Sequence, residues 1–147
     1  KLLGRMLKGV RVRVRNDMDA RAPRLLADAP RMAEIFVNLL RNARNAISRR
    51  FDGADPDATA GTKRLIVVEA FVKDPYVALV FTNNGVPVPA ANQEKIFLPA
   101  FHARDPEKSG LGLPETAALL KQMGGAIRCE SLGELGTRFI LTLPKAP

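Results

Sequence analysis

From Met32 to Ile47 the apolar residues Met32, Ile35, Phe36, Leu39, Leu40, Ala43 and Ile47 recur at three- and four-residue intervals. That spacing gathers them on one face of an α-helix and commits the face to a buried partner. Asp28 stands where such a helix needs an N-cap. The partner is predicted by the strands around it. Val10, Val12 and Val14 alternate with Arg11, Arg13 and Arg15, the period of a strand with one buried and one solvated face. Two more strands are predicted over 64–72 and 76–82, turning at Asp74-Pro75. A second helix over 113–123 stops at Gly124-Gly125, and strands over 126–131 and 137–143 follow. Residues 51–62 read as a loop, and 83–111 as mostly irregular around a short helix near 91–96. A loop that long inside a compact domain is usually functional. At least five strands with a few helices in mixed order predict an α/β (α+β) two-layer sandwich, a mixed β-sheet packed on one face by helices.

With 147 residues and 46% apolar content the chain can bury one core. We expect residues 1–8 to be the tail of an upstream helix or a linker, and 9–147 to be one domain. No run reaches the roughly 18 apolar residues of a membrane span. The chain starts without Met, as expected of a piece of a longer protein whose membrane anchor, if any, lies upstream. The net charge of +8 is concentrated early: residues 1–50 hold 13 of the 23 Lys and Arg but 4 of the 15 Asp and Glu. Such a patch suits nucleic acid, an acidic partner domain or ligand phosphates. One Tyr and no Trp leave few stacking platforms, which argues against nucleic acid. A single cysteine, Cys129, permits no internal disulfide, and its strand setting suggests packing. One Cys and one His exclude a zinc site made by this chain alone.

Three patterns carry chemistry. At 100° per residue, Asn38, Asn42 and Asn45 share one stripe beside the apolar face of the first helix. Asn is unfavourable inside helices, so the row is either a solvated face or a set of amide oxygens suited to Mg²⁺ or its bound water. Asn84-Gly85 follows a strand, as an ordinary turn or as part of a ligand loop. Gly110-Leu111-Gly112-Leu113 opens a helix with Pro114 in its first turn. The glycines let backbone approach phosphates, and the free amides of a helix start supply donors. A simple turn into a helix gives the same local pattern.

Taken in order, Asn38-Leu39-Leu40-Arg41-Asn42-Ala43, Asn84-Gly85, Ile96-Phe97-Leu98-Pro99-Ala100-Phe101 and Ser109-Gly110-Leu111-Gly112-Leu113 resemble four boxes of the ATP-binding domain of sensor histidine kinases. These are the asparagine box, first glycine box, phenylalanine box and second glycine box of a GHKL, Bergerat-type fold. Gly136-Thr137-Arg138-Phe139 resembles the last glycine signature, with Thr137 a ligand-contacting position. The resemblance covers about residues 9–144. It implies an ATP-binding catalytic domain that supplies the γ-phosphoryl group of Mg-ATP to a histidine on a separate dimerisation domain of the same parent protein, with a response regulator downstream. It also implies a cytoplasmic location with no membrane contact by this segment. By the same resemblance Asn42 holds Mg²⁺, Asn38 lies near the phosphates and the attacking group, and Arg104 reaches the phosphates from a lid. Asn83, Gly85, Lys108, Gly110, Leu111 and Gly112 fall at nucleotide-contacting positions. His102, a lid residue, does not match the family's phosphoacceptor.

The chain departs from the pattern at three of these places. Asn83 stands where the family has the aspartate that accepts from adenine's exocyclic amine, so the charge assistance is lost and weaker adenine binding is expected. Pro87 replaces the second glycine of its box and removes a backbone donor. Lys108 replaces the first glycine of the next. Two alternatives therefore stand beside the kinase reading: a degenerate domain retained as a protein-docking scaffold, and a Bergerat-type protein serine kinase.

Overall fold

A computed structural model describes residues 4–5, 7–16, 28–52, 63–99, 101 and 112–145. Strand β1 spans Arg11–Asn16, helix α1 Ala29–Phe51, strand β2 Leu65–Lys73 and strand β3 Tyr76–Asn83. Helix α2 covers Leu113–Gln122, strand β4 Ala126–Ser131 and strand β5 Thr137–Pro144. The short helix expected near 91–96 is instead two 3-10 turns, Ala90–Asn92 and Lys95–Phe97. Pro87 and Pro89 restrict the approach to this stretch and withhold two backbone donors.

The five strands form one sheet in the order β1-β2-β3-β5-β4, parallel between β1 and β2 and antiparallel elsewhere. Helices α1 and α2 and the sheet make the α+β architecture. Register assigns the sheet's faces. Val68, Phe81, Phe139 and Cys129 are successive cross-strand partners, as are Ala70, Leu79, Leu141 and Ile127. All belong to the core or pack against it, together with Ile35, Leu39, Ile47 and Leu120 from the helices. Phe36 meets Phe81 edge-on, at 5.2 Å between ring centres, an arrangement aromatic pairs prefer.

The helix ends follow from local chemistry. Asp28 caps α1 by accepting from the Arg31 amide at 3.3 Å, with Pro30 in the first turn. At the end of α2, Gly124 takes φ +76°. The Gly124 amide donates to Lys121 and that of Gly125 to Leu120, capping the last carbonyls.

One expectation fails at the edge. The valine face of β1 is not buried, for Val14 is 74% and Val12 38% exposed. Among the described residues β1 is an edge strand that pairs only with β2, and its alternation records a pleat rather than a covered face. Val10, just before the strand, does pack against the core. Cys129 is buried, and its thiol is pushed up to about 12, chiefly by burial and secondarily by the charge of Glu130. Such a thiol stays protonated and packs as a small apolar group. Among the described residues no helix is long and apolar enough to cross a membrane.

Candidate functional site

The asparagine row divides on folding. Asn42 and Asn45 line a pocket of about 170 Å³ between α1 and the sheet. Arg49, one more step along the same stripe, joins them at its rim. Asn38 lies elsewhere, buried where α1 meets the start of α2. Its Nδ2 donates to the Thr116 hydroxyl at 3.3 Å and lies 3.5 Å from the Gly112 carbonyl. That carbonyl also accepts from the Thr116 hydroxyl at 2.7 Å and the Thr116 amide at 2.8 Å. Gly112 is the α2 N-cap with φ +72°, and a Cβ there would strike the Asn38 amide. The role seen for Asn38 is therefore a clasp that fixes the helix start, whose next residue, Leu113, forms part of the pocket wall.

The pocket floor comes from the sheet. Asn83 ends β3, Thr137 begins β5, and they are cross-strand partners. Both are almost fully buried, at 2% and 1% exposure. Being in register with Ile66, they fall on the helix-facing side of the sheet at one end of its core. Each holds a loop. The Asn83 Oδ1 accepts from the Gly85 amide at 2.9 Å. The Thr137 Oγ1 accepts from the Val88 amide at 3.0 Å. The loop after β3 is also pressed against α1, since the Val86 amide donates to the Ala46 carbonyl at 3.0 Å and a Cβ on Gly85 would overlap the Ala46 backbone. Gly85 is required by this close approach, not by its own dihedral angles. Outside the loop, Arg50 donates to the carbonyls of Asn84 and Glu134, both at 2.8 Å, tying the end of α1 to the two segments that carry Asn83 and Thr137.

The walls are apolar. Val86, Pro87, Val88 and Ile96 line the cavity along with Leu113. Its volume of about 170 Å³ is below the roughly 300–1,000 Å³ typical of whole small-molecule sites. The polar groups are divided by position: the neutral pair Asn83 and Thr137 lies within, Asn42, Asn45 and the cation of Arg49 belong to α1, and Asn92 to the first 3-10 turn. The arrangement sets apolar walls around a neutral polar floor, with amides and one cation on the α1 side.

Of the residues singled out by sequence, Asn42, Asn45, Asn83, Pro87 and Thr137 meet at this pocket. Gly85 lies beneath it, and Asn38 and Gly112 brace its wall. Arg104, Lys108, Gly110 and Leu111 lie outside the described residues, as does His102. Sequence reasoning missed Arg49, which extending the asparagine period by four positions from Asn45 would have found. It also passed over Ile96 and Leu113 as pocket-lining residues, for nothing distinguishes them from other core residues until the strands and helices are assembled.

Residues 27–147 match the family described as histidine kinase-, DNA gyrase B-, and HSP90-like ATPase. The chain is 33% identical over 122 residues to the sensor histidine kinase ZraS of Escherichia coli O157:H7, covering 83% of this chain and 24% of that protein. It is 31% identical over 133 residues to the C4-dicarboxylate transport sensor protein DctB of Rhizobium meliloti, covering 90% of this chain and 19% of that one. The chain thus spans about a quarter or less of these two relatives. Among solved structures, the catalytic domain of histidine kinase ThkA superposes with a TM-score of 0.72 at 26% identity, over 99% of this chain and 88% of that domain. The chain belongs to the histidine kinase-, DNA gyrase B- and HSP90-like ATPase family and is an ATP-binding catalytic domain of the sensor histidine kinase type.

Proposed function

We propose that this domain binds the Mg²⁺ complex of ATP in the pocket between α1 and the sheet and supplies its γ-phosphoryl group to a histidine on a separate dimerisation domain of the parent protein. A response regulator would then receive the group, on the cytoplasmic side of any membrane the parent spans. The observation that supports the reading is the convergence of Asn42, Asn45 and Arg49 from one helix with the buried Asn83 and Thr137 of two adjacent strands.

The residues present fit the implied ligands. Amide oxygens of Asn42 and Asn45 are hard neutral donors of the kind Mg²⁺ accepts when phosphates supply the rest of its ligands. Bound there, the ion would neutralise charge on the phosphates. The chain's own contributions are separate from that. Val86, Val88, Ile96 and Leu113 would enclose the base and exclude water, while Asn83 and Thr137 would select its polar edge. Arg49 supplies a cation for the phosphates. Arg104, Lys108 and the Gly110, Leu111 and Gly112 backbone are proposed as further phosphate contacts, because they follow the phenylalanine box and lead into α2. Catalysis in such a site consists of positioning and charge neutralisation, without covalent participation by the protein.

The test is isothermal calorimetry of ATP and ADP against the folded chain, with and without Mg²⁺ and in Asn42→Ala. Binding in the micromolar to submillimolar range, weakened at least tenfold by the substitution and by removal of Mg²⁺, is expected. Absence of heat up to millimolar nucleotide would instead favour a docking scaffold.

A further inference from the structure

Every backbone N–H along the loop after β3, from Asn84 to Val88, is committed within the protein. The Asn84 amide donates to the Leu65 carbonyl at 3.2 Å and the Val86 amide to the Ala46 carbonyl at 3.0 Å. The Gly85 amide donates to the Asn83 Oδ1 at 2.9 Å and the Val88 amide to the Thr137 Oγ1 at 3.0 Å. Pro87 and Pro89 have no donor to give. At the floor of the pocket a ligand therefore meets side chains, those of Asn83 and Thr137, and no donor from this loop's backbone.

Which end of the Asn83 amide it meets is fixed. The Gly85 N–H needs an acceptor, so turning the amide over would set NH₂ against N–H at a buried position. Gly85 cannot withdraw to permit it, because the adjoining Val86 amide is bonded to the Ala46 carbonyl and the loop lies against the α1 backbone. The end left for a ligand is the Nδ2, a pure donor. It has no hydrogen-bond partner among the described residues, and Asn83 is only 2% exposed.

Resting on the nucleotide-site reading above, we infer that Asn83 binds adenine by donating from its Nδ2 to the ring nitrogen N1, while the Thr137 Oγ1 accepts from the exocyclic amine. A purine nucleotide leaves its base through the glycosidic nitrogen. The ribose and phosphates run outward to the amides and the cation of α1, so the opposite edge, with N1 and the amine, faces the buried pair. That edge of adenine carries one acceptor, N1, and one donor, the amine. Because the Nδ2 can only donate, N1 is the group there that it can bind. Thr137 already accepts from Val88 and keeps a second lone pair for the amine. The two residues are cross-strand partners, side by side, as N1 and the amine-bearing carbon are neighbours in the ring. The opposite assignment would set NH₂ against NH₂ and leave the Nδ2 stranded. A carboxylate at this position would accept from the amine; Asn83 keeps adenine in the pocket by exchanging partners. Removing the acceptor it needs should change affinity about tenfold, as expected for a buried donor left unpaired.

The test is calorimetry with Mg²⁺ of ADP and of its 1-deaza and 7-deaza analogues, in which a C–H replaces N1 or N7, against wild type and Asn83→Asp. Wild type should bind the 1-deaza analogue about tenfold more weakly than ADP, and the 7-deaza analogue within about threefold of ADP. In Asn83→Asp the carboxylate takes the amine, so the 1-deaza penalty should shrink to about threefold or less. Wild type binding the 1-deaza analogue as tightly as ADP would overturn the assignment while leaving the nucleotide site intact. So would a larger loss for the 7-deaza analogue than for the 1-deaza one, or a 1-deaza penalty that Asn83→Asp leaves unchanged. If folded wild type does not bind ADP, the nucleotide-site reading fails and this inference with it. Should Asn83→Asp fail to fold or to bind, the wild-type comparison of the two analogues decides alone.

Discussion

Gly85 and Cys129 show how far single positions are constrained by what lies behind them. A methyl group on Gly85 would overlap the Ala46 backbone, and neither the helix nor the loop has a flexible side chain there to yield. Gly85→Ala should therefore destabilise the domain toward the upper end of the roughly 1–3 kcal/mol typical of overpacking, measured by urea unfolding, and should disturb nucleotide affinity through Asn83. At Cys129 the folded state keeps a proton that the unfolded chain releases near pH 9, because burial raises the thiol to about 12. Between those values the folded state binds more protons, so this contribution is complete below pH 9 and is lost as pH rises toward 12. Cys129→Val should flatten the fall of unfolding free energy with pH across that window. Native protein at pH 8 should also resist thiol alkylation that the urea-unfolded chain undergoes readily.

Between elements, three side chains join the parts around the pocket. Asn38 and Thr116 connect α1 to α2 through a buried amide and hydroxyl that share the Gly112 carbonyl. Thr116→Val keeps the shape but removes the hydroxyl, leaving the Asn38 Nδ2 with only its 3.5 Å neighbour. A loss of about 1–3 kcal/mol is expected from stranding a buried donor, read as a lowered urea midpoint at unchanged slope. Arg50 joins the other side of the pocket, with its two 2.8 Å bonds to the carbonyls of Asn84 and Glu134. Arg50→Ala should leave the core strands protected while amides in 84–88 and 133–136 exchange faster, as hydrogen exchange would show.

For the molecule as a whole, ligand binding and folding are linked, because the pocket exists only when α1, β3, β5 and α2 are assembled. A nucleotide held there at one hundred times its dissociation constant should raise the unfolding free energy by about 2.7 kcal/mol. Thermal melts with ATP and ADP at equal concentration should order by affinity. A domain kept only for docking would melt at one temperature in all of them.

The periodicity of Met32 to Ile47, the Asp28 cap, the Asp74-Pro75 turn and the Gly124-Gly125 stop are local signals, and short-range sterics and hydrogen bonding suffice to make them legible. The amino-acid sequence by itself therefore determined the order of the elements, and through the ordered boxes, the family. It could not show that Val12 and Val14 would stay exposed, because burial of a strand face depends on which elements lie over it. Nor could the spacing of Asn38, Asn42 and Asn45 reveal that one asparagine would clasp a helix while the others lined a cavity. Asn83 marks the limit most clearly: its identity was plain in the chain, but which end of its amide faces the pocket was decided only when Gly85 came to rest against α1 and claimed the oxygen.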